Sequence, residues 1–426
     1  MKSSFQYIFG DTNNTNVINA AKHIIKEKKS YSKYAIDLAN TILNGIQCDN
    51  STINIQKLEI HQKISTLKKR IIQFPYNSIN WMDIAFYYAI IGQIRKAKRS
   101  VDVAVSLSPN NRFVLRSAVR FYLHIGEEDK ALYIIKKSYL VSIDPWITSV
   151  EIALTQRFGL KTKYYKKGVQ LLTSRNYSNF CLSELNCTIG TLQYNSGSNR
   201  KAKKYIVDSL IDPNENVLTQ AEWLLPNINI PITNRPNLKF LSEANTRKYF
   251  LESKFKESLS SALDWIKFQP FCTGASSFGS YIASVCLEEY GTAIDISKKA
   301  LITSPGDLTL INNLAHALCL DGKISEASEV IGNIDITKVK PLDKYIITAT
   351  NGLICYNIDE AEKGFQLYSD SVEFFKKNND RGRIAIALYY WGKAEIHCDK
   401  TRGEKLLNES EALSKELNLV EIINKF

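Results

Sequence analysis

The sequence predicts an all-α protein built as a solenoid of helix hairpins, and three recurrent features support this fold class. Prolines recur at intervals close to 34 residues, from Pro75 to Pro109 and then to Pro145. Because proline lacks a backbone N–H and clashes with the preceding helical turn, each one is expected to mark a helix boundary. Glycine and alanine recur in the same phase, as turns and close helix crossings require. A sequence period of about 20 to 50 residues is typical of stacked units that bury one another's apolar faces.

The first 74 residues have helical periodicity but do not follow this phase. The predicted helices are Asn16–Lys28, Tyr31–Leu43 and Ile55–Phe74, separated by polar loops. A stacked array needs an end unit with one polar face. Residues 1–74 are therefore predicted to be an N-terminal helical cap or a set of degenerate repeats.

The clearest unit lies between Pro75 and Pro109. Its large, small and turn residues are Trp81, Ala85, Tyr88, Gly92, Ala97 and Ala104. With Ser78 as the first position, these residues match nearly every signature position of the tetratricopeptide repeat, which the unit resembles. The pentatricopeptide and Sel1-like repeats are alternatives with similar periods. The resemblance implies a right-handed superhelix in which the first helix of each hairpin lines a concave groove.

Further units follow in the same phase. They begin near Arg112, Trp146 and Ser183, and after residue 240 the phase restarts with units ending at Pro305 and beginning at Leu308. Residues 226–236 hold Pro226, Pro231 and Pro236, so they are predicted to be non-helical. The predicted domains are the cap at 1–74, a basic array at 75–225, a proline-rich linker at 226–240, and a second array at 241–426 that ends in a capping helix.

Charge is distributed unevenly along the chain. Residues 1–250 contain 35 Lys and Arg against 18 Asp and Glu, whereas the whole chain has a net charge of +12. Basic residues bracket the small residue that opens the second helix in several units, and they are predicted to stack into one stripe. This face can be a solvated convex wall or a surface for nucleic acid or an acidic protein. The predicted stripe consists of Arg95, Lys96, Lys98, Arg99, Lys163, Lys167, Arg200, Lys201, Lys203 and Lys204.

The resemblance also assigns a partner groove, through the positions of each first helix that face inward. Arg116 and Arg120 are four residues apart and so share one helix face. Two arginines there would suit a carboxylate or phosphate, or they could be solvated or paired with Glu127 or Asp129. The predicted groove residues are Met82, Phe86, Phe113, Arg116, Arg120, His124, Tyr194, Asn312 and His316.

No motif for catalysis, phosphate binding or metal binding is present in the sequence. The five histidines are far apart, and the eight cysteines form no Cys-x-x-Cys pair. The cysteines are therefore predicted to be reduced core residues of a cytoplasmic protein. We expect no enzyme activity, no cofactor, no metal and no membrane span.

Three hypotheses about function follow from these patterns. The first is a non-enzymatic scaffold or adaptor that holds a protein or peptide in its groove. The second is RNA or DNA binding by the basic N-terminal half. The third is a ligand-sensing regulator of tetratricopeptide type. Such a protein could be a component of a bacterial multi-protein or defence system. The sequence alone does not choose a partner, and it leaves the oligomeric state open.

Overall fold

The computed structural model describes residues 15–27, 36, 39, 50–174, 176–228 and 241–426. Helices joined by short turns make up this part of the chain, and it contains no strand. The chain divides into two compact units, Met1–Pro109 and Asn110–Phe426. The all-α helix-hairpin fold predicted from the periodicity is confirmed.

The first unit contains four helices in its described residues. The third and fourth form the hairpin predicted between Pro75 and Pro109, and the second helix packs against the third. Buried Ala85 and Ala97 lie in this hairpin, one on each helix. The helices are α1 (Thr15–Lys26), α2 (Asn50–Gln73), α3 (Ser78–Ile90) and α4 (Ile94–Leu107).

The second unit begins with three hairpins and one single helix. Within each hairpin, the first helix packs against the second and against the first helix of the next hairpin. The helices are α5 (Arg112–His124), α6 (Glu128–Lys137), α7 (Pro145–Arg157), α8 (Tyr165–Thr173), α9 (Asn179–Asn195), α10 (Asn199–Ser209) and α11 (Glu215–Ile228).

Five more hairpins complete the second unit. One continuous cluster of buried apolar side chains runs through all five of them. The helices are α12 (Ser242–Leu251), α13 (Phe255–Phe268), α14 (Thr273–Tyr281), α15 (Tyr290–Thr303), α16 (Leu308–Leu320), α17 (Ile324–Gly332), α18 (Pro341–Asn357), α19 (Ala361–Lys377), α20 (Arg381–Glu395), α21 (Lys400–Leu417) and α22 (Val420–Ile423). A π-helical turn, Ile282–Cys286, extends α14.

In every hairpin of the described chain except the last, α20–α21, the turn contains one residue in the left-handed conformation. In the first unit Gly92 takes this position, and the next amide, that of Gln93, donates to the carbonyl of Tyr88 at 2.9 Å. This bond closes the helix end as a Schellman motif, for which glycine is best suited. The same turn recurs along the chain with φ between 58° and 78°, at Gly92, Gly126, Gly159, Gly197, Ser253, Glu288, Gly322 and Asp359.

Capping side chains fix the start of the first helices. Asn77, Asn111 and Asp144 each accept a hydrogen bond from a backbone N–H in the first turn of α3, α5 and α7. Such a cap satisfies a donor that the helix itself leaves unpaired. Ser178 and Asp307 do the same for α9 and α16, whereas the first helices α12, α14 and α18 have no side-chain cap.

Small residues allow the two helices of a hairpin to cross closely. Ala97, Ala131 and Ala202 are fully buried at this crossing in α4, α6 and α10. Glycine replaces alanine where the backbones come nearest. A Cβ atom on Gly403 of α21 would lie 2.6 Å from the backbone nitrogen of Ile396.

The region predicted as a proline-rich linker differs from expectation at its start. Helix α11 continues through Pro226 to Ile228, so the prediction that residues 226–236 are non-helical is wrong for 226–228. Residues 229–240 lie outside the described part, as does most of the helix predicted at Tyr31–Leu43. Helix α12 packs against α11, so hairpins before and after this segment belong to the same compact unit.

Candidate functional site

A groove of about 610 Å³ lies on three alternate helices of the second unit, α7, α9 and α11. Its lining carries hydroxyl and amide side chains, with one aromatic and one basic residue. Trp223 is 45% exposed, and Arg157 is exposed at the end of α7. The polar lining comprises Ser149, Gln156, Thr188, Thr191, Asn195, Asn216 and Gln220.

Glu184 of α9 lines this groove and is held by three donors. Its Oε1 accepts from Arg116 Nη2 at 2.9 Å, from Asn214 Nδ2 at 2.7 Å and from Asn216 Nδ2 at 2.8 Å. The Glu184 side chain is only 8% exposed, and that of Arg116 is 19% exposed. This carboxylate is therefore neutralised and fixed inside the protein.

Arg116 is further fixed by an aromatic ring. Its guanidinium carbon lies 4.6 Å from the ring centre of Trp146, and that of Arg112 lies 5.1 Å from the same centre. Arg112 also bonds Asp144, the cap of α7, at 2.7 Å. Arg116 thus has Glu184 as its carboxylate partner, rather than Glu127 or Asp129.

Arg120 and His124 lie on the same helix, α5, and face later parts of the second unit. Arg120 Nη2 is 3.4 Å from Asn216 Oδ1, and the ring of His124 is 5.3 Å from that of Phe271. Burial lowers the pKa of His124, although the Thr303 backbone and Asp307 oppose the shift. Both residues therefore contact the chain itself.

A second cavity, of about 450 Å³, lies farther along the same unit. Its lining comes mainly from α16, α18 and α20, and it includes the predicted residues Asn312 and His316. Asn312 accepts a hydrogen bond from Thr350 at 2.8 Å. Burial, together with the nearby charge of Lys425, lowers the pKa of His316 to about 4, so its imidazole is neutral at pH 7.

Residues 419–426 pack beside this cavity. Tyr281, which lines it, donates to Glu421 at 3.3 Å. Lys425 forms an ion pair with Glu288 at 2.5 Å, and its side chain is only 6% exposed. This segment is therefore part of the wall beside the cavity.

The other predicted groove residues have mixed surroundings. Met82 is buried in the first unit, where Phe86 is half-buried and packs edge-on against Tyr87. Phe113 is 52% exposed on α5. Tyr194 packs edge-on against Trp223, next to the 610 Å³ groove.

The basic residues lie on second helices, except Lys163, which precedes α8. In the first unit, Arg95, Lys96 and Arg99 are exposed and Lys98 is half-buried, around fully buried Ala97. In the second unit the four residues around Ala202 are all exposed, namely Arg200, Lys201, Lys203 and Lys204. Lys163 is exposed, and Lys167 is half-buried on α8. Whether the clusters of the two units form one stripe remains a prediction.

Sequence reasoning missed several residues that line the two openings. Asn216, Gln220 and Trp223 lie on α11, which was not assigned to a repeat. Asp343 and Arg383 line the 450 Å³ cavity from helices whose phase was only partly recognised.

Within the described ranges, no group of three or more His, Cys, Asp or Glu side chains could hold a metal ion. The same part of the chain contains no helix with both the length and the apolar character needed to cross a bilayer.

Among known proteins, the chain is similar to solved structures at low sequence identity. No family model matches the chain, and no curated protein does. The fold is identified by the helix hairpins, which share left-handed turns and small residues where their helices cross. They are tetratricopeptide-like repeats. A human IFIT1 dimer with PPP-AAAA is a similar tetratricopeptide-like structure, with 13% identity, 93% of this chain and 94% of that chain covered, and a TM-score of 0.37.

Two further similar structures are tetratricopeptide domains. The TPR2AB domain of yeast Sti1, in complex with pHSP90, is 14% identical over 69% of this chain and 98% of that chain, with a TM-score of 0.22. The TPR domain of P58(IPK) is 13% identical over 84% of this chain and 94% of that one, with a TM-score of 0.23.

Proposed function

We infer that this tetratricopeptide-like protein is a non-enzymatic adaptor that binds an extended segment of a partner protein in the groove of α7, α9 and α11. The observation that supports this is the set of hydroxyl and amide side chains that line the groove on α7, α9 and α11. Asn216 is already bound to Glu184 and Arg120, whereas Gln156 and Asn195 make no side-chain hydrogen bond within the described residues. An amide side chain carries both a donor and an acceptor, as a peptide backbone does. Such a set can bind an extended backbone at several points.

The charges in the groove indicate an acidic partner. Glu184 is already paired with Arg116, so it contributes little net charge. Arg157 is exposed and makes no ion pair within the described residues. The groove therefore favours a segment with Asp or Glu opposite Arg157 and a large apolar side chain near Trp223, since aromatic and arginine anchors dominate most interfaces.

Selection from a library of displayed random peptides tests this function. We expect enriched peptides to carry an acidic residue. They should bind the double variant Arg157→Ala/Gln220→Ala at least about tenfold more weakly than the wild type. A matched control is Arg383→Ala, outside this groove. The proposal fails if no peptide is enriched over an unrelated protein, or if both variants weaken binding equally.

A second function is supported by the exposed cations just before α8 and on α10. Tyr165 of α8 and Tyr205 of α10 pack with the same apolar cluster. Around them, Lys163, Arg200 and Lys201 make no ion pair within the described residues. A surface of this kind suits the phosphates of RNA or DNA. Its binding would weaken with salt, with a log–log slope of about −0.7 to −0.9 per phosphate contact, and a fluorescence-anisotropy titration with single-stranded RNA at two salt concentrations checks this.

A further inference from the structure

The 450 Å³ cavity has the size and surface of a small-molecule site. Small-molecule pockets occupy about 300 to 1,000 Å³ and combine apolar walls with a few placed polar groups. Here the walls are apolar side chains of three helices and of the π-helical turn. They include Val285, Ile346, Ile347, Phe375, Ile386 and Ala387.

Asn312 presents a fixed donor in this cavity. The residue is only 9% exposed, and its Oδ1 is already bound by the hydroxyl of Thr350. Its Nδ2 has no hydrogen-bond partner within the described residues. This amide donor faces the cavity without a protein partner, so it can donate to a ligand acceptor there.

His316 lies one helical turn farther along α16, on the same face. Its ring packs edge-on against Tyr390 at 4.6 Å, and its nitrogens make no hydrogen bond within the described residues. The neutral imidazole offers one donor and one acceptor. Asn312 and His316 together therefore form a polar pair among apolar walls.

The lining of the cavity also carries a net negative charge. Asp380 pairs with Arg383, whereas Asp343 makes no ion pair in the part of the chain that the structure describes. All three side chains line the cavity. One carboxylate is thus left to attract a cation.

We propose that this cavity binds a small amphipathic amine. Its ammonium group would lie at Asp343, its aliphatic or aromatic body between Ile346, Ile347 and Ile386, and a hydrogen-bonding group at Asn312 and His316. This site is separate from the peptide groove on α7, α9 and α11, so either can exist without the other. Binding would bridge α16, α18 and α20 and so stabilise the hairpins around the cavity.

Three matched probes test the site by calorimetric titration of the full chain. They are 4-phenylbutylamine, 4-phenylbutanol and 4-phenylbutanoate, which share one apolar body and differ in charge. We expect the amine to bind at least about tenfold more tightly than the alcohol, and the carboxylate to bind least tightly.

Two variants locate the binding. Asp343→Asn should weaken the amine about tenfold and leave the alcohol unchanged, whereas Asp370→Asn, the same change on the exposed face of α19, should leave both unchanged. Ala349→Phe should block all three probes by filling the cavity, with circular dichroism as the check on folding. The proposal is overturned if the amine binds no better than the alcohol, if the carboxylate binds best, or if Asp343→Asn has no larger effect than Asp370→Asn. If Ala349→Phe does not fold, the Asp343→Asn comparison decides alone.

Discussion

Arg116 Nη2 lies 2.9 Å from Glu184 Oε1, and this pair joins α5 to α9 across 68 residues of sequence. Both side chains are largely buried, and Trp146 covers the guanidinium. A buried charge that loses its partner retains its desolvation cost. The pair therefore links hairpins whose helices are not neighbours in sequence.

The first prediction concerns this pair. Glu184→Ala leaves the buried guanidinium of Arg116 without a carboxylate, so the free energy of unfolding should fall by about 3 kcal/mol. The control is Glu326→Ala, which breaks the half-exposed pair with Lys298 and should cost less than about 1 kcal/mol. Urea denaturation followed by circular dichroism measures both, and equal losses would contradict a structural role for the Arg116 pair.

The second prediction concerns the helix crossing at Gly403. A Cβ atom there would lie 2.6 Å from a backbone nitrogen that cannot move without displacing α20. Gly403→Ala should therefore lower the free energy of unfolding by about 2 kcal/mol or more. Gly291→Ala, in the first turn of α15 with open space around it, should instead raise it by a few tenths to about 1 kcal/mol. Thermal melts of the two variants should thus shift in opposite directions.

The third prediction concerns the left-handed turns. Ser253 has φ of 58° at the position that glycine takes in other hairpins. Ser253→Gly should raise the free energy of unfolding by about 0.5 to 1 kcal/mol, because a side chain is disfavoured in this conformation. Gly322→Ser, at the equivalent turn with φ of 77°, should lower it by a similar amount. A Ser253→Gly variant less stable than the wild type would show that the serine side chain matters more than the backbone.

These turns also explain how far the sequence could predict the fold. Where glycine holds the turn, as at Gly92, Gly126 and Gly322, the repeat was recognised from sequence. Where Ser253, Glu288 or Asp359 holds it, the backbone conformation is the same but the residue gives no signal. The hairpin of α12 and α13 was missed for this reason, since its crossing residue is also a serine, the fully buried Ser258.

The candidate sites were predictable only in part. Of the residues that position in the repeat assigned to the partner groove, Asn312 and His316 line the 450 Å³ cavity. Position in the repeat could not show that Arg116 forms an ion pair with Glu184, because Glu184 lies two hairpins away along the chain. Contacts between distant hairpins depend on how the array coils, which a single repeat does not encode.

The last prediction concerns pH. The pKa of His316 is about 4 in the folded protein against an ordinary value of 6.5, chiefly because burial disfavours the charged imidazole. The unfolded chain therefore takes up a proton before the folded protein does as the pH falls. The contribution of neutral His316 to the free energy of unfolding is therefore fully present above pH 6.5. It is lost progressively as the pH falls from 6.5 towards 4.

We therefore expect the free energy of unfolding to fall by about 1 to 2 kcal/mol between pH 7 and pH 5 through His316 alone. Lys425 acts in the same direction as burial, and Asp343, Asp380 and Arg383 are the other charged groups that line the cavity. Because carboxylates elsewhere also titrate, the measurement is the difference between wild type and His316→Gln, compared by urea denaturation at both pH values. If the His316→Gln variant loses as much stability as the wild type over this range, the imidazole has its ordinary pKa in the folded protein. The cavity would then be open to water at this residue.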